Sequence, residues 1–248
     1  MKMWQKINLF LFLGVIITCI LFVYFFGSIN IANPFGKPWH MQPSIHEDSL
    51  SQLYKDQYLL LDKAPLRHAY FDSSRTNVFI MLNAWGVPVQ ESVLKDDLKP
   101  LEVLPHQFAL HRRLSNNTQH AERVEFRNKY ENSIFVTTGD LTLYKRFDYV
   151  HSLGFGNIIF LDRNDIDSAI QKIDSLLAQP PSFIAWTIEV SPTGDHEKIQ
   201  QTMQKIAEFE KKHPDVRFVI QGTHRPVLCR PEIRNNYKSH WVPAAILN

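Results

Sequence analysis

Residues 216–226 have the sequence VRFVIQGTHRP, an apolar run that stops at Gly222 and is followed by Thr223, His224 and Arg225. The run is apolar at nearly every position rather than at alternate ones, which is typical of an interior strand in a mainly parallel sheet. Ligands of such sheets bind beyond the carboxyl ends of the strands. The stretch therefore predicts an α/β fold with a site after Gly222, although a strand followed by an ordinary polar turn would explain the same residues.

From residue 76 onward, apolar runs alternate with amphipathic ones, which predicts βα units that wind a mainly parallel sheet with helices on both faces. Right-handed crossovers would bring the loops after the strands to one edge of that sheet. We expect strands near 77–82, 133–137, 157–161, 183–190 and 217–220, and helices near 91–98, 118–129, 143–153, 166–178 and 197–212.

The N-terminal segment at residues 7–26, INLFLFLGVIITCILFVYFF, contains no charged residue. About 20 apolar residues cross a hydrocarbon core of about 30 Å, so the segment predicts one transmembrane helix. Lys2 and Lys6 precede it and Lys37 is the first positive residue after it, which places the N-terminus in the cytoplasm and the rest of the chain outside the cell membrane. We favour an uncleaved signal anchor over the alternative, a cleaved signal peptide.

Three regions follow from these patterns. Residues 1–27 are a cytoplasmic stub and anchor, and residues 28–75 are a linker that ends in a short docking helix near 49–62. Pro34, Pro38 and Pro43 forbid a continuous helix in that linker. Residues 76–248 then form the α/β domain.

The composition excludes some partners. The 27 basic and 25 acidic residues are well mixed and give a net charge of +2, so no basic stripe marks a nucleic-acid surface. The two cysteines, Cys19 and Cys229, have no metal-ligand spacing.

Two polar residues lie at the ends of predicted elements, on the expected site edge. Asn83 stands at the end of the first strand of the domain, where a metal-binding or phosphate-binding side chain would lie, although a helix cap or turn is the plainer interpretation. Thr118 opens the helix near 118–129, either as its cap or as a hydroxyl nucleophile at a helix N-terminus, where N–H groups stabilise an anion.

Two basic residues are candidates for substrate binding. Arg146 lies eight residues before Gly154 and Phe155, and it is either a surface residue or a bidentate ligand of phosphate or sulfate. His196 follows the predicted strand at 183–190, and it is either a solvated loop histidine or a ligand for an anionic substrate.

In this order, the motifs resemble the alkaline phosphatase superfamily, especially its sulfatase-like and lipoteichoic acid synthase-like membrane-anchored branch. NVFIMLNAWGVP resembles the family strand that ends in an acidic metal ligand, and Thr118 with Glu122 matches the nucleophile spacing. Arg146 with Gly154-Phe155 matches the phosphate-binding segment of the lipoteichoic branch, and His196 matches its substrate-side histidine. Gly222-Thr223-His224 takes the place of a final Gly-Asp-His, which supplies metal ligands in the family.

The resemblance implies a divalent metal, Mn²⁺, Mg²⁺ or Zn²⁺, held at Asn83, Thr223 and His224. Both expected carboxylates are replaced, by Asn83 and Thr223, and hard cations bind neutral oxygen ligands poorly. We therefore expect a metal that is weakly bound or lost, unless Asp140, Asp162 or Asp195 substitutes.

Three functions follow from this comparison. The first is a non-catalytic accessory domain that binds a phosphate or sulfate ester of an envelope glycan or lipid, together with biosynthetic partner proteins. The second is an active metal-dependent hydrolase or transferase with Thr118 as nucleophile. The third is an unrelated membrane-anchored α/β domain. The two missing carboxylates favour the first.

Overall fold

The structure is a computed structural model that describes residues 12–18, 48–61, 65–66, 70–113, 115–127, 130–137, 146–161, 165–190 and 193–247. In the first of two units, Met1–Glu47, residues 12–18 form a helix in which the Thr18 hydroxyl donates to the carbonyl oxygen of Gly14 (2.9 Å). Within the described residues, no helix is both long and apolar enough to cross a membrane. Most of the proposed anchor at residues 7–26 lies outside them, so the anchor stays a prediction.

The second unit, Asp48–Asn248, contains the sheet. Its strands are β1 (Leu59–Leu61), β2 (Asn77–Asn83), β3 (His106–Arg112), β4 (Tyr130–Thr137), β5 (Phe155–Phe160), β6 (Phe183–Glu189), β7 (Arg217–Gly222) and β8 (Trp241–Leu247). Its helices are α1 (Gln52–Gln57), α2 (Glu91–Leu98), α3 (Thr118–Phe126), α4 (Arg146–His151), α5 (Ile166–Leu177), α6 (His196–Glu210) and α7 (Pro231–Arg234), and a 3₁₀ turn (Lys99–Leu101) follows α2.

The strands form one sheet in the order β1-β3-β8-β7-β2-β6-β4-β5. Neighbouring strands are parallel except at β8, which runs antiparallel to both β3 and β7. The predicted mainly parallel α/β sheet is therefore confirmed. Strand β2 lies near the middle, between β7 and β6, where the strand order reverses and where ligands of such sheets bind.

The sheet is covered on both faces because the side chains of its central strands alternate between two apolar clusters. On β2, Val78 and Ile80 enter one cluster, which also receives apolar residues of α2, α5 and α6. Phe79 and Met81 enter the other, together with residues of α3 and α4 such as Phe126. Burial on both faces explains why β2 is an unbroken apolar run, and it confirms the prediction of helices on both sides.

Each strand predicted from an apolar run is present, and so is each of the five helices predicted between those strands. The helix expected near 118–129 ends at Phe126, and for the helix expected near 143–153 the structure describes Arg146–His151 while residues 143–145 lie outside the described part. The prediction of a docking helix near 49–62 was wrong about the C-terminal end of that helix. The chain leaves α1 at Tyr58, which has extended φ and ψ angles, and residues Leu59–Leu61 form an edge strand against β3.

No strand is predicted at β8, whose sequence WVPAAIL contains a proline that is unusual in a strand with neighbours on both sides. The pairing register of β8 with its two neighbours explains how the proline is accommodated. All of β8 pairs with β3, but pairing with β7 covers only Ala244–Leu247. Pro243 therefore lies just before the two-sided part, where its missing N–H breaks no bond to β7.

Candidate functional site

Four polar side chains meet at the carboxyl edge of the central strands. Asn83 is the last residue of β2, Thr223 and His224 follow β7 directly, and Thr118 is the first residue of α3. Because β2 and β7 are parallel neighbours, their ends are brought side by side, and the N–H of Thr223 donates to the carbonyl oxygen of Leu82 (3.0 Å). We call these four residues the edge cluster.

Hydrogen bonds join the edge cluster around the side-chain oxygen of Asn83. Asn83 Oδ1 accepts from the hydroxyl of Thr118 (2.6 Å) and from the hydroxyl of Thr223 (2.9 Å). Thr118 Oγ1 also lies 3.1 Å from His224 Nε2. Thr223 is fully buried and His224 is nearly so, while Asn83 and Thr118 are partly exposed. The cluster is thus reached from solvent on the side of Asn83 and Thr118.

Thr118 does not cap its helix, which corrects one of the two interpretations made from the sequence. The cap is Asn117, whose side-chain oxygen accepts from the N–H of His120 (3.1 Å). Since Asn117 satisfies the helix end, the hydroxyl of Thr118 is directed to Asn83 and His224. The hydroxyl of Thr118 thus lies at a helix N-terminus, where backbone N–H groups favour an anion.

Two glycines allow the loops after β2 and β7 to touch. A Cβ on Gly222 would lie 1.9 Å from the carbonyl oxygen of Trp85, and a Cβ on Gly86 would lie 2.6 Å from the Cα of Arg225. Ala84, between Asn83 and Trp85, adopts a positive φ of 61° and donates its N–H to Thr223 Oγ1 (3.3 Å). Strained backbone of this kind is characteristic of functional loops. These contacts explain why the glycines occur in NAWG and QGTHRP.

His224 is held in one orientation. Its Nδ1 donates to the carbonyl oxygen of Arg225 (2.6 Å), so Nε2 faces Thr118. Burial lowers the pKa of His224 below its ordinary value, and the positive charge of Arg113 lowers it further, against the opposing effect of the bond to Arg225. Burial and the charge of Arg113 thus favour the neutral imidazole.

A buried ionic network adjoins the edge cluster. Arg113, directly after β3, donates from Nη1 to Glu125 of α3 (3.1 Å) and from Nη2 to the side-chain oxygen of Gln221 on β7 (2.6 Å). Gln221 also contacts His111. Arg113 thus connects α3, which begins with Thr118, to β7, which directly precedes Thr223. Nothing in the sequence marked it, because it follows a strand with no continuous apolar run.

The edge cluster does not suit the divalent metal that the resemblance implies. Its oxygen donors are an amide and two hydroxyls, and the amide oxygen already accepts two hydrogen bonds. Arg113 adds a positive charge that acts on His224. Within the described residues, no group of three or more His, Cys, Asp or Glu side chains could hold a metal ion. Asp195 caps α6 by accepting from the N–H of Lys198, and Asp140 and Asp162 lie outside the described residues.

The two predicted substrate-binding residues have different outcomes. Arg146 begins α4, but its side chain lies outside what the structure describes, so its role stays a prediction. His196 begins α6 and is bonded elsewhere, to Asp97 of α2 and to Tyr237. The structure brings together Asn83, Thr118, Thr223 and His224, and it places His196 in a separate group.

No protein-family model matches the sequence, and no curated protein is similar enough in sequence to be matched. Among solved structures, the lipoteichoic acid synthase LtaP from Listeria monocytogenes is similar with a TM-score of 0.53 and 12% identity, over 72% of this chain and 66% of LtaP. The C-terminal periplasmic domain of EptC from Escherichia coli has a TM-score of 0.48 and 10% identity, over 70% of this chain and 72% of that domain. The phosphoglycerol transferase GacH from Streptococcus pyogenes has a TM-score of 0.45 and 12% identity, over 70% of this chain and 68% of GacH.

This chain spans slightly less than two thirds of the length of LtaP. The similarity concerns the fold, and it confirms the family resemblance drawn from the ordered motifs at that level. The chain has a fold similar to that of the lipoteichoic acid synthase LtaP.

Proposed function

We propose that the chain is a membrane-anchored, extracytoplasmic binding domain that holds a phosphate or sulfate ester of an envelope glycan or lipid without metal-dependent catalysis. The observation that carries the proposal is the pair of hydrogen bonds that Asn83 Oδ1 accepts from Thr118 and Thr223. Neutral side chains bonded to one another stand where the related enzymes are expected to have metal-binding carboxylates. The fold similarity to LtaP supports this proposal over an unrelated α/β domain.

The edge cluster retains features that favour an anion. Thr118 lies at the N-terminus of α3, a helix of nine residues whose first N–H groups carry partial positive charge. Arg113 supplies a buried guanidinium close enough to affect His224. We propose that Arg146 adds a second guanidinium contact to the ester. In this role the domain would present an envelope intermediate to biosynthetic partner proteins.

The decisive experiment is a titration of the full chain in detergent with Mn²⁺. The electron paramagnetic resonance signal of Mn²⁺ reports the concentration of the free ion at each step. We expect no binding by the unmodified chain and clear binding by the variant Asn83→Asp/Thr223→Asp, because carboxylates are the ligands that hard cations prefer. The variant Val103→Asp/Leu228→Asp adds the same charge at two exposed positions and serves as the control. Tight Mn²⁺ binding by the unmodified chain would refute the proposal.

A second candidate function is an active hydrolase or transferase with Thr118 as nucleophile. It is favoured by the 3.1 Å distance between Thr118 Oγ1 and His224 Nε2, which is within the range of a nucleophile and its hydrogen-bonding partner. Assays with a chromogenic phosphodiester separate the two functions. Turnover that is lost in Thr118→Ala would establish the enzyme, whereas no turnover together with retained binding of the ester would support the binding domain.

A further inference from the structure

A second cleft lies apart from the edge cluster, between the loop after β2, the start of α2, the start of α6 and the segment after α7. Its volume is about 450 Å³, and its lining includes Pro88, Gln90, Val93, His196, Asn236 and Tyr237. Pockets of this size hold small organic ligands.

Two residues of the cleft wall, His196 and Tyr237, are hydrogen-bonded in series with the buried carboxylate of Asp97. Both carboxylate oxygens of Asp97, which is fully buried, lie 3.0 Å from His196 Nδ1, and His196 Nε2 lies 2.8 Å from the hydroxyl oxygen of Tyr237. Since a carboxylate accepts, Nδ1 of His196 donates to Asp97, and Nε2 faces Tyr237. The side chain of His196 is 29% exposed, so a ligand in the cleft can reach the imidazole.

The local backbone leaves room for the hydrogen bonds between Asp97, His196 and Tyr237. Gly194 has a positive φ of 79°, and a Cβ there would lie 2.6 Å from the hydroxyl oxygen of Tyr237. That hydroxyl also lies 3.3 Å from the carbonyl oxygen of Gly194. Trp85 Nε1 also donates to the carboxylate of Asp97 (3.3 Å). Residues from four separate segments thus fix one imidazole and one phenol at the wall of the cleft.

The rest of the lining indicates which ligand would fit. Pro88 and Val93 provide aliphatic surface, while the exposed side chains of Gln90 and Asn236 each offer an amide donor and an amide acceptor. The carboxylate of Asp97 is enclosed by His196 and Trp85, and it opposes an anionic ligand. Aliphatic faces with neutral donors and acceptors match a sugar ring, whose C–H face is apolar and whose edge carries hydroxyl groups.

We propose that this cleft binds a neutral sugar ring, with Gln90 and Asn236 contacting its hydroxyl groups beside the His196–Tyr237 pair. The site is independent of the edge cluster and of the function proposed for it. The probes are glucose, galactose and N-acetylglucosamine, each tested by saturation-transfer NMR on the full chain in detergent. Glycerol and glucose 6-phosphate test whether a ring is needed and whether an anion is disfavoured.

We expect saturation transfer to the ring protons of at least one of the three sugars. Gln90→Ala and Asn236→Ala should each weaken that binding about fivefold to tenfold, the loss expected for one hydrogen bond. Tyr237→Phe should weaken it as well. Gln204→Ala, the same substitution at an exposed position of α6, is the matched control and should change nothing.

Three outcomes would overturn the proposal. They are no transfer to any of the three sugars, transfer that Gln90→Ala and Asn236→Ala leave unchanged, and stronger binding of glycerol or glucose 6-phosphate than of the sugars. The variant Asn83→Asp/Thr223→Asp should leave sugar binding unaltered. A failure of the sugar site is therefore distinguishable from a failure of the function proposed for the edge cluster.

Discussion

Thr118 Oγ1 lies 2.6 Å from Asn83 Oδ1, although the two residues are 35 positions apart in the chain. The contact joins the end of the central strand β2 to the first turn of α3. It also occupies the amide oxygen that would otherwise face a ligand. Local geometry at the site is thus set by hydrogen bonds between neutral groups.

The contribution of this contact to stability is measured by a double-mutant cycle with Asn83→Ala and Thr118→Val. Because the two groups are partly shielded from water, we expect a coupling free energy of about 0.5–1.5 kcal/mol in urea unfolding. Thr118→Ser keeps the hydroxyl and should retain the coupling. Strictly additive effects of the two substitutions would contradict the hydrogen bond.

Gly222→Ala should be strongly destabilising, because the new Cβ would lie 1.9 Å from the backbone oxygen of Trp85. Backbone cannot rotate aside as a side chain does, so we expect a loss of at least about 3 kcal/mol in the free energy of unfolding. Gly156→Ala is the control, since its Cβ would lie at an ordinary 3.5 Å from the carbonyl oxygen of Ser133. Equal effects of the two substitutions in urea unfolding would show that the loops after β2 and β7 do not touch.

Arg113→Met should lower the free energy of unfolding by about 3–5 kcal/mol, because it leaves the buried carboxylate of Glu125 without its guanidinium. The double variant Arg113→Met/Glu125→Leu should recover part of that loss. Arg112→Met, at the exposed neighbouring position, is the matched control. If the double variant is less stable than the single one, the pair does not behave as a buried ion pair.

The lowered pKa of Asp48 predicts that the stability of the fold depends on pH. Burial alone would raise the pKa of Asp48, but hydrogen bonds from the side chain and the backbone N–H of His240 hold it below its ordinary value. The unfolded chain then takes up the proton first as pH falls. The stabilisation by Asp48 is therefore complete above the ordinary aspartate pKa of about 3.9 and is lost as pH falls below it.

The measurement is urea unfolding of the unmodified chain and of Asp48→Asn over a series of pH values from neutral down to about 3. The difference in unfolding free energy should be largest near neutral pH and should shrink in acid. Asp56→Asn, at an exposed position of α1, is the control. A difference that stays constant across the series would exclude the lowered pKa of Asp48.

The central strands and the edge cluster could be predicted from the sequence for the same reason. Strands buried on both faces are continuous apolar runs, and the residues that follow such runs lie at one edge of a parallel sheet. Asn83 and His224 were found in this way, each directly after a run. Thr118 was found because capping residues precede an amphipathic segment.

The other parts depend on contacts between distant segments, which a local pattern does not contain. Strand β3, HQFALHR, has polar residues at both ends, and it is identified only through its pairing with β1 and β8. Arg113 is buried because Glu125 and Gln221 receive its N–H groups. His196 follows a strand as expected, but the buried carboxylate of Asp97 draws it away from the edge cluster.

Strand β8 has a consequence for how the nascent chain reaches this structure. In the described sheet, β3 reaches β7 only through β8, although β8 follows every other strand in the sequence. While residues 241–247 are still in the ribosome, the facing edges of β3 and β7 both lack a partner. Unpaired strand edges favour aggregation, so these two edges are exposed to it until β8 is added. The segment that finishes the sheet is thus also the one that ends the period of greatest risk.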